Sequence, residues 1–219
     1  ADLLEKIDSE PRMALLELAE KEIEAVVYAE LDADVRKTIL SNMNPIRVAR
    51  IISALDSDDA LDLISRLDDD IQKQVLKKLS VATRAAVEEG LTFPEKSAGR
   101  LMQREVVAIP QFWTVGKTLD YLRAAHDMLP EDFHSLYIVD PAYHVLGEVL
   151  VSRVISAPRS VKISELTNEN IFTVHSTTDE EEVAFLFQKE HLYSVPVLDD
   201  DERLIGVITA DDVMDVIQA

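Results

Sequence analysis

With no cysteine among 219 residues, disulfides, thiolate metal sites and cysteine nucleophiles are excluded, which fits a reducing compartment. The 42 acidic and 22 basic residues leave a net charge of −20, which disfavours nucleic acid as a partner and makes divalent cations the natural counter-ions, although acid excess also simply keeps a protein soluble. An apolar fraction of 47% speaks against disorder, no unbroken apolar run is long enough to span a bilayer, and the opening ADLLEKIDSE has neither the basic nor the apolar stretch of a signal peptide.

Residues 1–79 repeat with a period of twelve. The apolar pairs Leu4/Ile7, Leu16/Ala19, Tyr28/Leu31, Leu40/Met43, Ile52/Leu55, Ile64/Leu67 and Leu76/Leu79 each lie on one helix face. One residue after each pair stand Asp8, Glu20, Asp32, Asn44, Asp56, Asp68 and Ser80, most of them good N-caps, and Pro45 follows Asn44 where proline suits a helix start. The segment therefore reads as short helices joined by tight turns. Such helices are too short to stand alone and must stack into a solenoid to bury their apolar faces. A last helix is expected from Val81 to about Glu89, with Gly90 as its stop. Acids at these helix starts, Asp58 and Asp59 among them, suit the helix dipole, and three acids in a row leave a surplus for a second use.

Residues 93–104, FPEKSAGRLMQR, mark a junction. Beyond it the chain is written twice. Residues 135–155 (SLYIVDPAYHVLGEVLVSRVI) align without a gap on residues 194–214 (SVPVLDDDERLIGVITADDVM) at a shift of 59. Each copy predicts a short strand (Val106 to Ile109; Ile171 to Val174), then a helix from near Thr114-Val115 or Thr178-Asp179. A second strand follows (Leu136 to Val139; Val195 to Leu198), and a third from Val145 or Leu204 runs into a final helix. Both halves are acidic: residues 1–94 carry 20 acids against 12 bases, and residues 95–219 carry 22 against 10. Docking one half on the other therefore costs repulsion.

SVPVLD, LIGVIT and ADDVMD resemble CBS (cystathionine-β-synthase) domains, and the two copies resemble a tandem CBS pair. With the short helical repeats in front and FPEKSAGRLM between, the whole chain is similar to the cytosolic part of MgtE-type magnesium transporters. The resemblance implies an α plus α/β architecture: a right-handed α-superhelix of short helices over residues 1–92, a linker at 93–104, and CBS domains at 105–160 and 161–219. It further implies a magnesium-sensing regulatory region at the cytoplasmic face of a membrane, dimeric through its CBS helices, with Mg2+ as ligand. The partner it implies is the chain's own C-terminal transmembrane pore domain, absent from this sequence, so the fragment would not itself conduct ions.

Gly206 to Asp212 fits the G-x-x-T-x-x-D pattern by which many CBS domains hold a nucleotide ribose. Thr209 and Asp212 would meet the ribose hydroxyls of ATP or AMP, and Tyr137 could face the adenine. The same residues spell a helix capping box, and an aromatic in a strand is usually core, so both readings stand. The first copy departs from the pattern, with Leu150 in place of Thr209 and Arg153 in place of Asp212. For a metal, the preferred carboxylates are Asp211, Asp212 and Asp215, joined by Asp179, Asp58 and Asp59. Magnesium takes oxygen ligands and keeps much of its water, so acids on two domains could share it. The runs Glu180 to Glu182 and Asp199 to Glu202 read more simply as a helix first turn and a solvated turn. The five histidines show no ligand spacing, no nucleophile elbow or Walker loop occurs, and no catalytic set is expected. An adenine-nucleotide module without ion sensing is the alternative reading.

Overall fold

The computed structural model describes residues 1–19, 22–130 and 133–218, apart from the side chains of Asp127, Asp215, Ile217 and Gln218. The chain divides into two compact units, Ala1–Thr92 and Phe93–Ala219.

The first unit is helical: α1 (Asp2–Lys6), α2 (Ser9–Leu18), α3 (Val26–Ala29), α4 (Ala33–Ser41), α5 (Pro45–Ile52), α6 (Ser57–Ser65), α7 (Asp69–Leu76) and α8 (Val81–Gly90). Six of the seven expected caps occupy N-cap positions: Asp8, Asp32, Asn44, Asp56, Asp68 and Ser80. The seventh, Glu20, lies outside the described residues. Asp32 accepts from the amides of Asp34 and Val35, Asn44 from Ile46 and Ser80 from Thr83. The first members of six apolar pairs, Leu4, Leu16, Tyr28, Leu40, Ile52 and Ile64, are buried in one continuous core. Helices pack on their neighbour and on the next but one, α5 against α6 and α7 and α6 against α8, as in a stack of short repeats. Short helices leave many orphan carbonyls, and arginines from later helices supply donors. Arg12 donates to the carbonyls of Leu4 and Ile7, Arg36 to Ala29 and Arg47 to Leu16.

Gly90 corrects an expectation. It is the last residue of α8, not a left-handed stop, and the C-cap Leu91 is itself right-handed (φ −66°). Its smallness serves packing instead, since a Cβ there would lie 2.7 Å from Leu61 Cδ2.

The second unit holds the two copies. One contains β1 (Ala108–Pro110), α10 (Val115–Ala124), β2 (Ser135–Val139), β3 (Val145–Leu150) and α11 (Val151–Ser156). The other contains β4 (Val174–His175), α12 (Glu180–Glu190), β5 (Ser194–Leu198), β6 (Leu204–Thr209) and α13 (Ala210–Gln218). Ahead of them lies α9 (Ala98–Leu101). Each copy forms a three-stranded sheet, its first strand parallel and its third antiparallel to the middle one. The first strands begin later than the sequence suggested. The duplication reaches fine detail: the register shifts at Ile138/Val139 and at Val197/Leu198 are equivalent, as are the left-handed residues Tyr143 (φ 72°) and Glu202 (φ 60°).

Period-two alternation buries β2 on both faces. Leu136 and Ile138 join the core of the first copy, whereas Tyr137 and Val139 meet Leu204 and Val207 of the second in a layer between the copies.

The segment expected as a linker is no linker in the structure. Residues 93–104 belong to the second unit and dock on the second copy, not on the first that follows them. Ala98 and Met102 are buried in that copy's core. Ala98 N donates to Thr178 O (2.7 Å), Gly99 N to Ser176 O (2.8 Å), and Gln103 and Val207 exchange both amide bonds (2.9 Å each). The segment before the second copy does the reverse: Ile163 is buried in the first copy's core, Ile163 N donates to Trp113 O, and Asn168 pairs with Glu148. Each copy therefore covers the open edge of the other's sheet with its own leading arm, satisfying backbone groups that an edge strand would expose.

Candidate functional site

The strand-to-helix turn from β6 into α13 gathers three of the candidate side chains, Thr209, Asp211 and Asp212. Asp212 Oδ2 accepts from Thr209 N at 2.8 Å and from Thr209 Oγ1 at 2.7 Å, and Asp211 Oδ1 lies 2.6 Å from the same hydroxyl. A carboxylate three residues into a helix reaches back to the amide preceding it, and both acids sit in the first turn where the dipole favours them. One hydroxyl proton is thus shared between two carboxylates. Thr209 and Asp212 are half-buried and Asp211 is exposed. The Asp215 side chain lies outside the described residues.

Asp179 caps α12, is exposed and accepts from Glu181 N at 2.8 Å. Beside it Lys96 Nζ stands 3.1 Å from Glu180 Oε1, and that hydrogen bond raises the lysine's pKa. Asp58 and Asp59 lie half-buried in the first turn of α6 in the other unit. Among the described residues no three acids or histidines converge as a metal cage. The carboxylates are the hard oxygen donors that magnesium takes.

In the first copy, Leu150 precedes α11 with 43% of its surface exposed, and Arg153 is exposed within that helix. Tyr137 sits in the layer between the copies, 2% exposed, with its hydroxyl 2.8 Å from Ser194 Oγ, and burial pushes its phenol pKa up.

Sequence reasoning passed over two rings. His134 and Tyr193, equivalent at the shift of 59, stack with centroids 5.9 Å apart and planes 17° apart. The alignment that found the duplication also superposes them, and that was the signal available. The turns at Asp140 and Asp199 are built alike. Asp140 accepts from the amides of Ala142 and His144, Asp199 from those of Asp201 and Arg203, and the turns meet as His144 pairs with Arg203.

Comparison with known proteins follows the same division. Residues 1–96 match the model of the MgtE intracellular N domain, and residues 163–219 match the CBS domain. The magnesium transporter MgtE of Thermus thermophilus is 34% identical over 234 residues, covering 100% of this chain and 52% of the relative. With 42% of the Bacillus subtilis relative covered, the chain spans about half the length of the curated relatives it matches. A crystal structure of the soluble part of a magnesium transporter superposes with a TM-score of 0.87 at 29% identity, covering 99% of this chain and 85% of that one. The cytosolic domain of the Mg2+ channel MgtE in complex with ATP gives 0.75 at 29% identity, covering 98% and 92%. Among the described residues no helix is long and apolar enough to cross a membrane.

Proposed function

This chain belongs to the MgtE magnesium transporters, as their N domain followed by the CBS region, and from that premise we propose that it senses magnesium and regulates an attached pore. The observation that carries the reading is acidity on both units of a chain similar to the transporter relative along its whole length. Asp58 and Asp59 would serve on the first unit, and Asp179, Asp211, Asp212 and Asp215 on the second. Without magnesium the acidic units repel. Magnesium, held partly through its own water, neutralises carboxylates of both and favours their docking. Two unit charges about 4 Å apart repel by roughly 1 kcal/mol in water and about 4 kcal/mol at intermediate screening. A few such pairs suffice to switch a docking equilibrium of a few kcal/mol. Closure would pass through α13 to the pore, the remainder of the relatives' length, at the cytoplasmic face of the membrane. The role is regulatory and not catalytic.

Solution scattering during a magnesium chloride titration, at ionic strength held constant with potassium chloride, tests this. Saturating compaction with magnesium and none with potassium is expected, and D211N/D212N/D215N should blunt it. Equal responses to both salts would mean simple screening and defeat the reading.

The exposed Ile155 on α11 and Phe185 and Met214 on α12 and α13 favour a homodimer through these helices. Light scattering that gives a monomer at working concentration would refute that.

A second reading has its own support. One similar structure holds ATP, and Thr209 with Asp212 suits a ribose. The CBS pair would then bind an adenine nucleotide, ATP or AMP, alone or to tune the magnesium response. Calorimetry with both nucleotides, repeated on Asp212→Ala, decides it; no uptake by the wild type ends this reading.

A further inference from the structure

Residues 1–94 are acidic overall, yet the corner between α7 and α8 is basic. Residues 71–87 hold Lys73, Lys77, Lys78 and Arg84 and no acid. Residues 35–55 also hold four bases and no acid, but those bases are in use. Arg36 pairs with Asp62 at 3.0 Å, Lys37 pairs with Asp68 at 3.2 Å, Arg47 donates to Leu16 O, and Arg50 is engaged too. Among the described residues none of the four bases at the corner has an ion pair or a side-chain hydrogen bond.

The corner is an ordered turn. Lys78 N donates to Val75 O at 2.8 Å, Leu79 is buried in the core, and Ser80 Oγ accepts from Thr83 N at 3.1 Å. Lys73, Lys77 and Lys78 are exposed and Arg84 is half-buried. Among them Val81 keeps 77% of its surface in solvent. Lys73 and Lys77 lie four apart on one helix face, where like charges repel. The dipole of α7 offsets that repulsion at its carboxyl end. It does not account for Arg84, near the amino end of α8, nor for an exposed valine among cations.

Unpaired cations around an apolar side chain match a surface that is negative outside and apolar just beneath. An anionic bilayer has that layering. Nucleic acid is negative too, but its phosphate backbone offers the valine no apolar layer to enter. Elsewhere the acid excess of the helical unit repels an anionic surface, so this corner is the part that can approach one. We propose that the α7–α8 corner docks on anionic phospholipid, with the three lysines and Arg84 on headgroup phosphates and Val81 at the boundary with the acyl chains. This goes beyond ion sensing. It needs no magnesium, and it gives the helical unit a partner of its own, the bilayer surface.

Flotation of the full chain with vesicles tests this, in EDTA so that no divalent cation bridges acids to lipid. Vesicles of phosphatidylcholine, with and without phosphatidylglycerol, are compared at low and at high salt. The proteins are the wild type, K73Q/K77Q/K78Q, Val81→Ser and a charge-matched control, K6Q/R66Q/K189Q. The wild type is expected to float with the phosphatidylglycerol vesicles at low salt and not with phosphatidylcholine alone. At about fivefold per lysine, K73Q/K77Q/K78Q should bind roughly a hundredfold more weakly. Val81→Ser should weaken binding a few-fold, and the control should float as the wild type does. Circular dichroism melts check that these exposed substitutions leave the fold intact. If the wild type does not float, the proposal is overturned while the magnesium reading stands, because no magnesium is present. Equal loss in K73Q/K77Q/K78Q and the control also overturns it, since net charge and not the corner would then govern binding. Self-association without vesicles that K73Q/K77Q/K78Q abolishes, in a wild type that does not float, would assign the corner to an acidic face of a second copy instead.

Discussion

The phenol of Tyr137 lies 2.8 Å from the hydroxyl of Ser194, so the middle strand of one copy is bonded to the start of the middle strand of the other. The duplication does not repeat this bond: at the shift of 59 the partners would be Pro196 and Ser135, and proline has no hydroxyl. Tyr137→Phe should therefore cost the second unit about 1 kcal/mol, with Ser194 left short of a buried partner. Urea unfolding reads this as a lower midpoint at unchanged slope; an unchanged midpoint would mean the bond contributes nothing.

Gly147 and Gly206 lie under the arms. A Cβ on Gly206 would sit 2.7 Å from the carbonyl oxygen of Gln103, and one on Gly147 would collide with Asn168 O at a φ of +153° that side chains rarely adopt. Both neighbours are backbone and yield little. Gly206→Ala is expected to destabilise by about 1–3 kcal/mol and Gly147→Ala by at least as much. Differential scanning calorimetry should show the transition of the second unit lowered and that of the first unmoved.

Removing residues 93–104 should do more than shorten a tether. The fragment 105–219 loses Ala98 and Met102 from a core and uncovers Val207 on an edge strand. It should associate or precipitate, whereas 93–219 stays monodisperse on size exclusion. Equal behaviour of the two fragments would show that the arm is dispensable.

His144 should give the second unit a pH-dependent stability. Its Nδ1 lies 2.9 Å from Asp140 Oδ2, and that hydrogen bond raises the imidazole above its ordinary value, while the same partner holds Asp140 below the usual carboxylate range. A raised histidine contributes stability fully below the unfolded value of about 6.5, and the contribution is lost as pH rises through the folded value. The lowered carboxylate contributes above its unfolded value, and this is lost as pH falls through the folded one. The pair thus stabilises most in mildly acid solution. His144→Gln should flatten the decline in urea midpoint between about pH 6 and about pH 8. Parallel wild-type and variant curves would contradict this.

Asp212 has two proposed duties, which two substitutions separate. Asp212→Ala removes the acceptor for Thr209 N and should cost about 1 kcal/mol, as loss of a helix cap does. Asp212→Asn keeps an acceptor and should cost less, while removing the charge that magnesium would use. If both variants lose stability equally, the carboxylate charge and not the cap holds the turn.

The helical unit was legible because its signals are local. A cap such as Asn44 and an apolar residue such as Ile52 act within one turn of themselves, and a period of twelve repeats the message. The strands of the second unit were legible from the duplication. The arm exchange was not, because nothing in FPEKSAGRLMQR says which of two similar copies it will cover. Gly90 misled because a glycine at a helix end is compatible both with a left-handed cap and with a close approach, and only Leu61 decides between them. At the site, the Thr209–Asp212 spacing predicted the bond that forms. Tyr137 and Tyr193 were indistinguishable by type, since which is covered depends on packing between copies. The carboxylates suggested for metal lie on two units, and no local pattern tells whether distant acids will share an ion.

The crossed arms make the two copies interdependent. A gene holding one copy would encode a chain whose leading segment fits only another molecule, so two such chains would have to meet before either was complete. With both copies on one polypeptide the partner of each arm is always at hand, and completion of either sheet does not depend on protein concentration.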